Sequence, residues 1–395
     1  MNKVIKGMKV IPVEGKEKIE KGVVVIKDGK FQEVGVEGEI QIPSGSEVIE
    51  LNSDLTALPG LIDSHIHCLM DASGDPFKQL SENNDAYNVL QAAKNLNKAL
   101  CAGITWVRDL GGKDYLEIGI KNGVENGLFK GPRMKIAGKT ICMTGGHGYK
   151  TGREADGVSE LKKAAREQLK AGADVIKIMA TGGVMTEGVE PGSPQLSREE
   201  IEAAVEEAHK AGRKAATHAQ GTEGIKNAVL AGIDSVEHGI FLDDETIELM
   251  LEKDVFMVPT LAAPYWIIEA GEEKGVPEYA VKKSRDVMQS HQKSFKKALD
   301  AGVNIAFGTD AGTPFNLHGK NTFELKMMVE AGMTQMQAIE SATIKSAELL
   351  DIEDKAGSIT EGKIADMLIV KGDPSEDIEE IFNVEAVYKE GEKII

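Results

Sequence analysis

Residues 197–239, SREEIEAAVEEAHKAGRKAATHAQGTEGIKNAVLAGIDSVEHG, hold two helix-then-strand units in a row. SREEIEAAVEEAHKAG reads as a helix ending in Ala-Gly, the glycine suiting a left-handed cap. RKAATHA (213–219) is a short apolar run, TEGIKNAVLAG a second helix, and IDSVEHG (233–239) a second run. Short strands that alternate with helices build parallel sheets. The same alternation extends outward on both sides. TALPGLID (56–63), ITWVRDL (104–110), RMKIAGKTI (133–141) and ADVIKIMA (173–180) come before it, VFMVPT (255–260) and VNIAFGTD (303–310) after it. Eight such units match a (β/α)8 barrel. The expected fold class is therefore α/β, with a TIM-like (β/α)8 barrel over residues 57–356. An open doubly wound sheet is the alternative. It more often shows a glycine-rich phosphate loop after its first strand, and none is seen.

The two ends read as β. VVVIKDGKFQEVG places two apolar runs across Asp28-Gly29, a hairpin dipeptide. EIQI and EVIEL read as further strands. In the tail, GSITEGKIADMLIV and EAVYKEGEKII read as strands around a Glu390-Gly391 turn. Residues 1–56 and 357–395 are thus expected to form one small β-sandwich domain beside the barrel.

The 395 residues carry 46 Lys+Arg and 64 Asp+Glu, a net charge of −18. Such a surface repels phosphate, which argues against a general nucleic-acid or anionic-membrane binder. The most apolar stretch, 255–268, is short and broken by Pro259, Thr260 and Pro264, so no membrane span is expected. The N-terminus lacks the apolar run of a signal peptide. Three cysteines without a CxxC fit a reducing cytoplasm. The expected partner is a small-molecule substrate, and a homo-oligomer stays open.

Active sites of such barrels sit at the C-terminal ends of the strands. The first strand ends in LIDSHIH, where His65 and His67 share one face. Paired imidazoles suit a divalent metal, although an isolated HxH more often marks one core and one exposed histidine. Lys177 lies in the middle of DVIKIMA, a strand buried on both faces. A buried ammonium is costly and tends to lose its proton. An internal ion pair is the plain explanation. The sharper one is a neutral amine that has reacted with CO2, giving an anionic carbamate able to bridge two metals. His218 (ATHA), His238 (VEHG) and Asp310 (FGTDAG) end the fifth, sixth and eighth strands. Each alone is ambiguous, since an aspartate ending a strand is often a helix cap. Coincidence at all six positions is improbable, and the joint pattern points to a metal site.

These motifs resemble the amidohydrolase superfamily over essentially the whole chain. VRDLGG, TGGHG, IKIMATGGVMT, PQLSREEI, HAQGTEGI and EAGMTQMQAIESAT resemble its metal-dependent dipeptidase and carboxypeptidase branch, the Xaa-Pro dipeptidase-like group. Imidazolonepropionase is a more distant relative. The resemblance implies two divalent ions, zinc being expected. His65 and His67 would bind one ion, His218 and His238 the other. A CO2-derived carbamate on Lys177 would bridge them. Asp310 would bind the first ion and serve as general base and acid for attack of a metal-activated hydroxide on an amide. The branch often carries His-Ala-His where this chain has His218-Ala219-Gln220.

His147, in TGGHG, is a candidate to polarise a carbonyl or hold a carboxylate, and a plain loop histidine is the equal alternative. Tyr265, in LAAPYW, is a candidate substrate contact or lid packing. Arg108 is expected to pair with Asp109 or another barrel carboxylate. His318 is a weaker candidate still, while His209 and His291, both on helices, read as solvated. Cys68 points away from His67. Residues 181–197, TGGVMTEGVEPGSPQLS, read as a lid. The expected reaction is hydrolysis of a dipeptide or N-acyl amino acid bearing a free α-carboxylate. The competitors are a cyclic amide or lactone hydrolase of imidazolonepropionase type, a mononuclear deaminase, and a barrel that has lost catalysis. The mononuclear types generally lack the bridging lysine, and deaminases carry a glutamate just after the fifth-strand histidine.

Overall fold

The computed structural model describes residues 2–395, and both ends of the chain fold back together. One sheet runs in the order Lys30–Val36, Gly22–Lys27, Lys3–Lys6, Glu47–Glu50. A second runs Glu392–Lys393, Val384–Lys389, Met367–Lys371, Leu55–Pro59, Lys9–Val10, so it draws strands from both termini. Ile5, Val24, Ile26 and Phe31 of the first sheet share one apolar cluster with Ala57, Met367, Ile369 and Tyr388 of the second. The Asp28-Gly29 hairpin forms as expected, with φ values of 51° and 75°, and the Glu390-Gly391 turn repeats this at 53° and 74°. EIQI is not a strand. Glu39 instead closes a turn onto the Val36 carbonyl, and Ile40 folds back over Gly35.

Between these sheets lie parallel strands separated by helices. β1 (Leu61–Ile66) pairs with β2 (Ile104–Asp109), and β2 with β3 (Arg133–Ile136). β4 (Val175–Met179), β5 (Lys214–Ala219), β6 (Ser235–His238) and β7 (Phe256–Val258) pair in succession. The Asp174 N–H donates to the Ile136 carbonyl at 2.8 Å and links the two runs.

Three expected strands differ from their reading. TALPGLID divides at Gly60, where any Cβ would lie 2.4 Å from Thr105 Oγ1. Its first half, Leu55–Pro59, pairs antiparallel with Met367–Lys371 in the terminal sheet, so the chain leaves that sheet at Pro59 rather than at 56. RMKIAGKTI divides into β3 and a two-residue strand, Ile141–Cys142. VNIAFGTD forms no regular strand. The Thr309 N–H is shared between the His65 carbonyl at 3.2 Å and the buried Asp63 carboxylate, which also takes the Thr309 hydroxyl, so the ladder beside β1 is irregular. The segment still lies between β7 and β1: Ala306 N–H reaches the Met257 carbonyl at 3.0 Å, and Asp310 N–H the His65 carbonyl at 2.7 Å.

The helix Arg198–Lys210, between β4 and β5, begins with a capping box between Ser197 and Glu200. No helix among the described residues is long and apolar enough to cross a membrane.

Candidate metal centre

The C-terminal strand ends converge on one cavity. His65, His67, Lys177, His218, His238 and Asp310 all line it. Ring centroids are 5.4 Å apart for His65–His67, 5.3 Å for His65–His238 and 4.6 Å for His218–His238. Asp310 Oδ1 lies 3.4 Å from His65 Nε2 and 3.2 Å from His67 Nε2. The ligand atoms of His65, His238 and Asp310 all fall within 4.8 Å of one another. The resemblance pairs His238 with His218, whereas the geometry sets it against His65 and Asp310 as well.

Three of the four imidazoles are held at Nδ1. His65 Nδ1 meets Glu237 Oε2 at 2.9 Å, His67 Nδ1 the Gly111 carbonyl at 3.0 Å, and His238 Nδ1 the Thr260 hydroxyl at 2.7 Å. With Nδ1–H as donor, Nε2 keeps its lone pair for a cation. His218 Nε2 is buried without any partner, and so is Lys177 Nζ. Burial pushes the Lys177 amine down to about 8. Burial opposes charge on His67 too, but the neighbouring Asp310 carboxylate outweighs it and raises that imidazole. A set of imidazoles, one carboxylate and an orphaned amine therefore fits divalent ions.

The backbone is strained where the donors sit. His238, Thr260 and Asp310 have φ values of 73°, 53° and 59°. Such conformations cost about 1–3 kcal/mol each in non-glycine residues and persist only where the surroundings fix them. One fixing group is His291, expected to be solvated but in fact 1% exposed. Its Nε2–H donates to the His238 carbonyl at 3.0 Å. Three residues on, the Ser294 hydroxyl donates to the Ile240 carbonyl at 2.7 Å. Ala280, Ser284, Val287, His291, Ser294 and Ala298 are all buried at helical spacing, a pattern that would have placed His291 inward.

A second layer lies beneath the imidazoles. Glu237 takes hydrogen bonds from Arg108 Nη2 at 2.8 Å and the Ser235 hydroxyl at 2.6 Å, and so orients His65. Arg108 thus pairs with a barrel carboxylate, as one of its two expected partners. Asp63, raised to about 6 by burial, also accepts from Asn321 at 2.7 Å and ties β1 to the eighth segment. Neither Glu237 nor Asp63 is singled out by the sequence reading. The one signal for both is a carboxylate within a strand next to a candidate ligand.

His147 lines the cavity, with its ring centroid 4.1 Å from that of His218. The ring rests on Gly183, where a Cβ would lie 2.6 Å from it. Its Nδ1 meets the Thr186 hydroxyl at 2.8 Å, and burial pushes it down to about 3, so it is neutral. Gln220 also lines the cavity, at the position where the branch often has a second histidine. Tyr265 does not belong to the site. It is half-buried and packs on Trp266 and Phe323, centroids 5.2 Å away in both cases, outside the cavity lining. Its helix turns the neighbouring Pro264 and Ile267 inward instead. His318 is buried and supports the His67 carbonyl at 3.2 Å. His209 is exposed beside Asp234, and Cys68 is buried in the main core.

Residues 56–394 match the amidohydrolase family. Ochratoxinase from Aspergillus niger is 31% identical over 401 residues, spanning 93% of this chain and 81% of that protein. The crystal structure of a Xaa-Pro dipeptidase with methionine bound in its active site superposes with a TM-score of 0.92 at 36% identity, covering 100% of this chain and 99% of that one. Imidazolonepropionase from Brevibacillus brevis is 24% identical over 398 residues, 89% of this chain and 84% of that protein. The chain therefore belongs to the amidohydrolase family, and it is an enzyme that hydrolyses amide bonds on a TIM-like barrel scaffold.

Proposed function

We propose that this enzyme cleaves the amide bond of a dipeptide or N-acyl amino acid at two divalent ions, zinc by expectation. In this proposal the parallel strands close as a (β/α)8 barrel, and the terminal sheets are a separate small β domain. The observation that carries the site is the pair of orphaned atoms, Lys177 Nζ and His218 Nε2, buried within one cluster of donors. Buried polar atoms without partners are rare, and each asks for a group that completes it. His65, His67 and Asp310 would hold one ion and His218 the other, with His238 facing both positions. Addition of the neutral Lys177 amine to CO2 forms an N–C bond and releases one proton. The resulting anion would join the two ions.

When bound, divalent ions make a coordinated water acidic enough to react near neutral pH and polarise a carbonyl oxygen. Asp310 takes the proton of the attacking water and delivers it to the leaving amine. His147 accepts the Thr186 O–H at Nδ1 and presents Nε2–H to the substrate carbonyl or carboxylate. The loop 181–197 borders the cavity through Val184 and Met185 and would serve as its lid. Its backbone carbonyls at Met185 and Thr186 accept from Tyr279 at 3.3 Å and Lys283 at 2.7 Å. Three free thiols suit a reducing compartment such as the cytoplasm.

One similar protein supports an amino-acid substrate in two ways, the Xaa-Pro dipeptidase by its reaction and by the methionine bound in its active site. Assay of a dipeptide and N-acyl amino acid library with the zinc-loaded enzyme tests the substrate directly. Release of free amino acid is the expected result. An enzyme that ignores every member yet opens lactams or lactones has the imidazolonepropionase type of activity instead.

Two variants probe single contacts. His147→Ala is expected to lower kcat/KM for free-acid substrates about 100-fold, on the order of a lost charge-assisted bond, and for their C-terminal amides far less. Equal losses for both remove His147 from carboxylate recognition. His291→Ala is expected to lower the melting temperature, because the buried His238 carbonyl loses its donor, and to weaken metal binding about 10–100-fold, the usual cost of losing an outer partner. His291→Gln, which restores an N–H donor, recovers part of it. Competition with a chelating dye measures both, and unchanged affinity in the alanine variant reduces His291 to packing.

A further inference from the structure

Beside the metal cluster the cavity changes character. Val184 and Met185 of the loop 181–197, Ile240 after β6, Ile267 of the helix Ala262–Ala270, and Val287 of the helix Glu278–Ala301 form one wall. Val184, Ile240, Ile267 and Val287 belong to an apolar cluster separate from the main core, each at most 8% exposed. Apart from the histidines, the charged side chains lining the cavity among the described residues are Lys177 and Asp310, both in the metal cluster. Lys283, on the same helix as Val287, donates to the loop carbonyls of Thr186 and Val189 and does not line the cavity. A charged group placed against this wall therefore loses its water and meets no partner of opposite sign.

We propose that this wall selects an uncharged apolar group of the substrate, a branched aliphatic or aromatic side chain, and rejects charged side chains. The loop 181–197 and the helix Glu278–Ala301 set the choice together, because Lys283 and Tyr279 of the helix hold the loop in place. Shape alone separates apolar groups weakly, since a missing methylene is worth roughly 10–200-fold. Charge separates strongly, since an unpaired buried charge is among the costliest groups to bind. This inference rests on the amide-hydrolysis reading for its substrates but not for the wall itself.

The test compares dipeptides carrying Leu, Phe, Lys or Glu at each of their two positions, with the zinc-loaded full chain. At one position kcat/KM for Leu or Phe is expected to exceed that for Lys and Glu by at least about 100-fold. Charged and apolar side chains accepted within tenfold at both positions overturn the proposal. Val287→Asp is expected to shift the Lys-to-Leu ratio upward by about 100-fold by giving the ammonium a partner. Because that variant can lose its fold, Val287→Ala is read beside it, with an expected gain for Phe over Leu. A variant pair that leaves both ratios unchanged also overturns the assignment. Calorimetry with the free amino acids L-leucine, L-phenylalanine, L-lysine and L-glutamate, which carry no amide to cleave, reads the wall without turnover. Apolar ligands binding at least tenfold tighter, with no dipeptide cleaved, sustain the wall while sinking the dipeptide substrate. Equal affinities overturn the wall.

Discussion

Lys177→Ala is expected to lose the metal pair and nearly all turnover while keeping the fold. Lys177 is 1% exposed in the middle of β4, and its amine meets no hydrogen-bond partner. An amine that gives no native contact does not hold the barrel together, and burying it costs stability. Compared with the metal-free wild type, the alanine variant should melt at a similar temperature, since relief of the buried amine offsets the loss of its packed stem. On the proposed reading, the variant lacks the carbamate that would lie between the two ions, whose mutual repulsion at short range is large. Elemental analysis is expected to show about two ions per chain in the wild type and one or fewer in the variant. Turnover should fall by more than the roughly 10–100-fold that outer-shell partners cost, because a direct ligand is gone. Formate, acetate or propionate should restore part of it by standing in for the missing carboxylate oxygens. A Lys177→Ala enzyme with full activity and a normal metal content excludes the carbamate.

The barrel strands were legible because each is a short apolar run followed by a helix with its own stop signal. ADVIKIMA and RKAATHA became β4 and β5 nearly as read. The eighth strand was misread for a physical reason. VNIAFGTD has the composition of a strand and keeps backbone bonds on both sides, yet Asp63 shares the Thr309 N–H, and Thr309 Oγ1 takes the N–H of the following Ala311 at 3.0 Å, which interrupts the ladder. Such long-range side-chain bonds leave no trace in local periodicity. TALPGLID failed likewise, because only the tail strand Met367–Lys371, some 300 residues away, decides that Leu55–Pro59 joins another sheet.

The site shows the same division. His65, His67, Lys177, His218, His238 and Asp310 were legible since each falls at, or on, a strand leading to one barrel face. The groups that orient them were not. His291 sits on a helix with polar neighbours, and only its spacing with Val287 and Ser294 marks it as buried. Glu237 lies beside His238 in sequence but serves His65, 172 residues away, a contact that needs the barrel to exist. Tyr265 was overvalued because an aromatic after a barrel strand looks like a lid. Its partners Trp266 and Phe323 draw it to the outer side instead.

Asp310→Asn is expected to keep both fold and metal and to lose most of kcat. The fold should survive because asparagine tolerates the left-handed conformation that Asp310 adopts, with φ at 59°. The backbone contacts are also independent of the carboxylate: the Asp310 N–H bonds the His65 carbonyl at 2.7 Å, and the Thr313 hydroxyl bonds the Asp310 carbonyl at 2.7 Å. The amide oxygen of asparagine still faces His65 and His67, so a metal ligand remains. It cannot take or return a proton. General acid–base groups contribute roughly 10²–10⁴-fold, and a weakened ligand adds to the loss. Two measurements separate these effects. Metal content read beside kcat shows whether the ions stay. The leaving group shows where the proton goes: an N-acyl p-nitroanilide, whose amine leaves without much help, should lose far less than an alkyl amide. Equal losses for both substrates with full metal limit Asp310 to the attack of water. A variant within a few-fold of wild type on the alkyl amide removes Asp310 from proton transfer altogether.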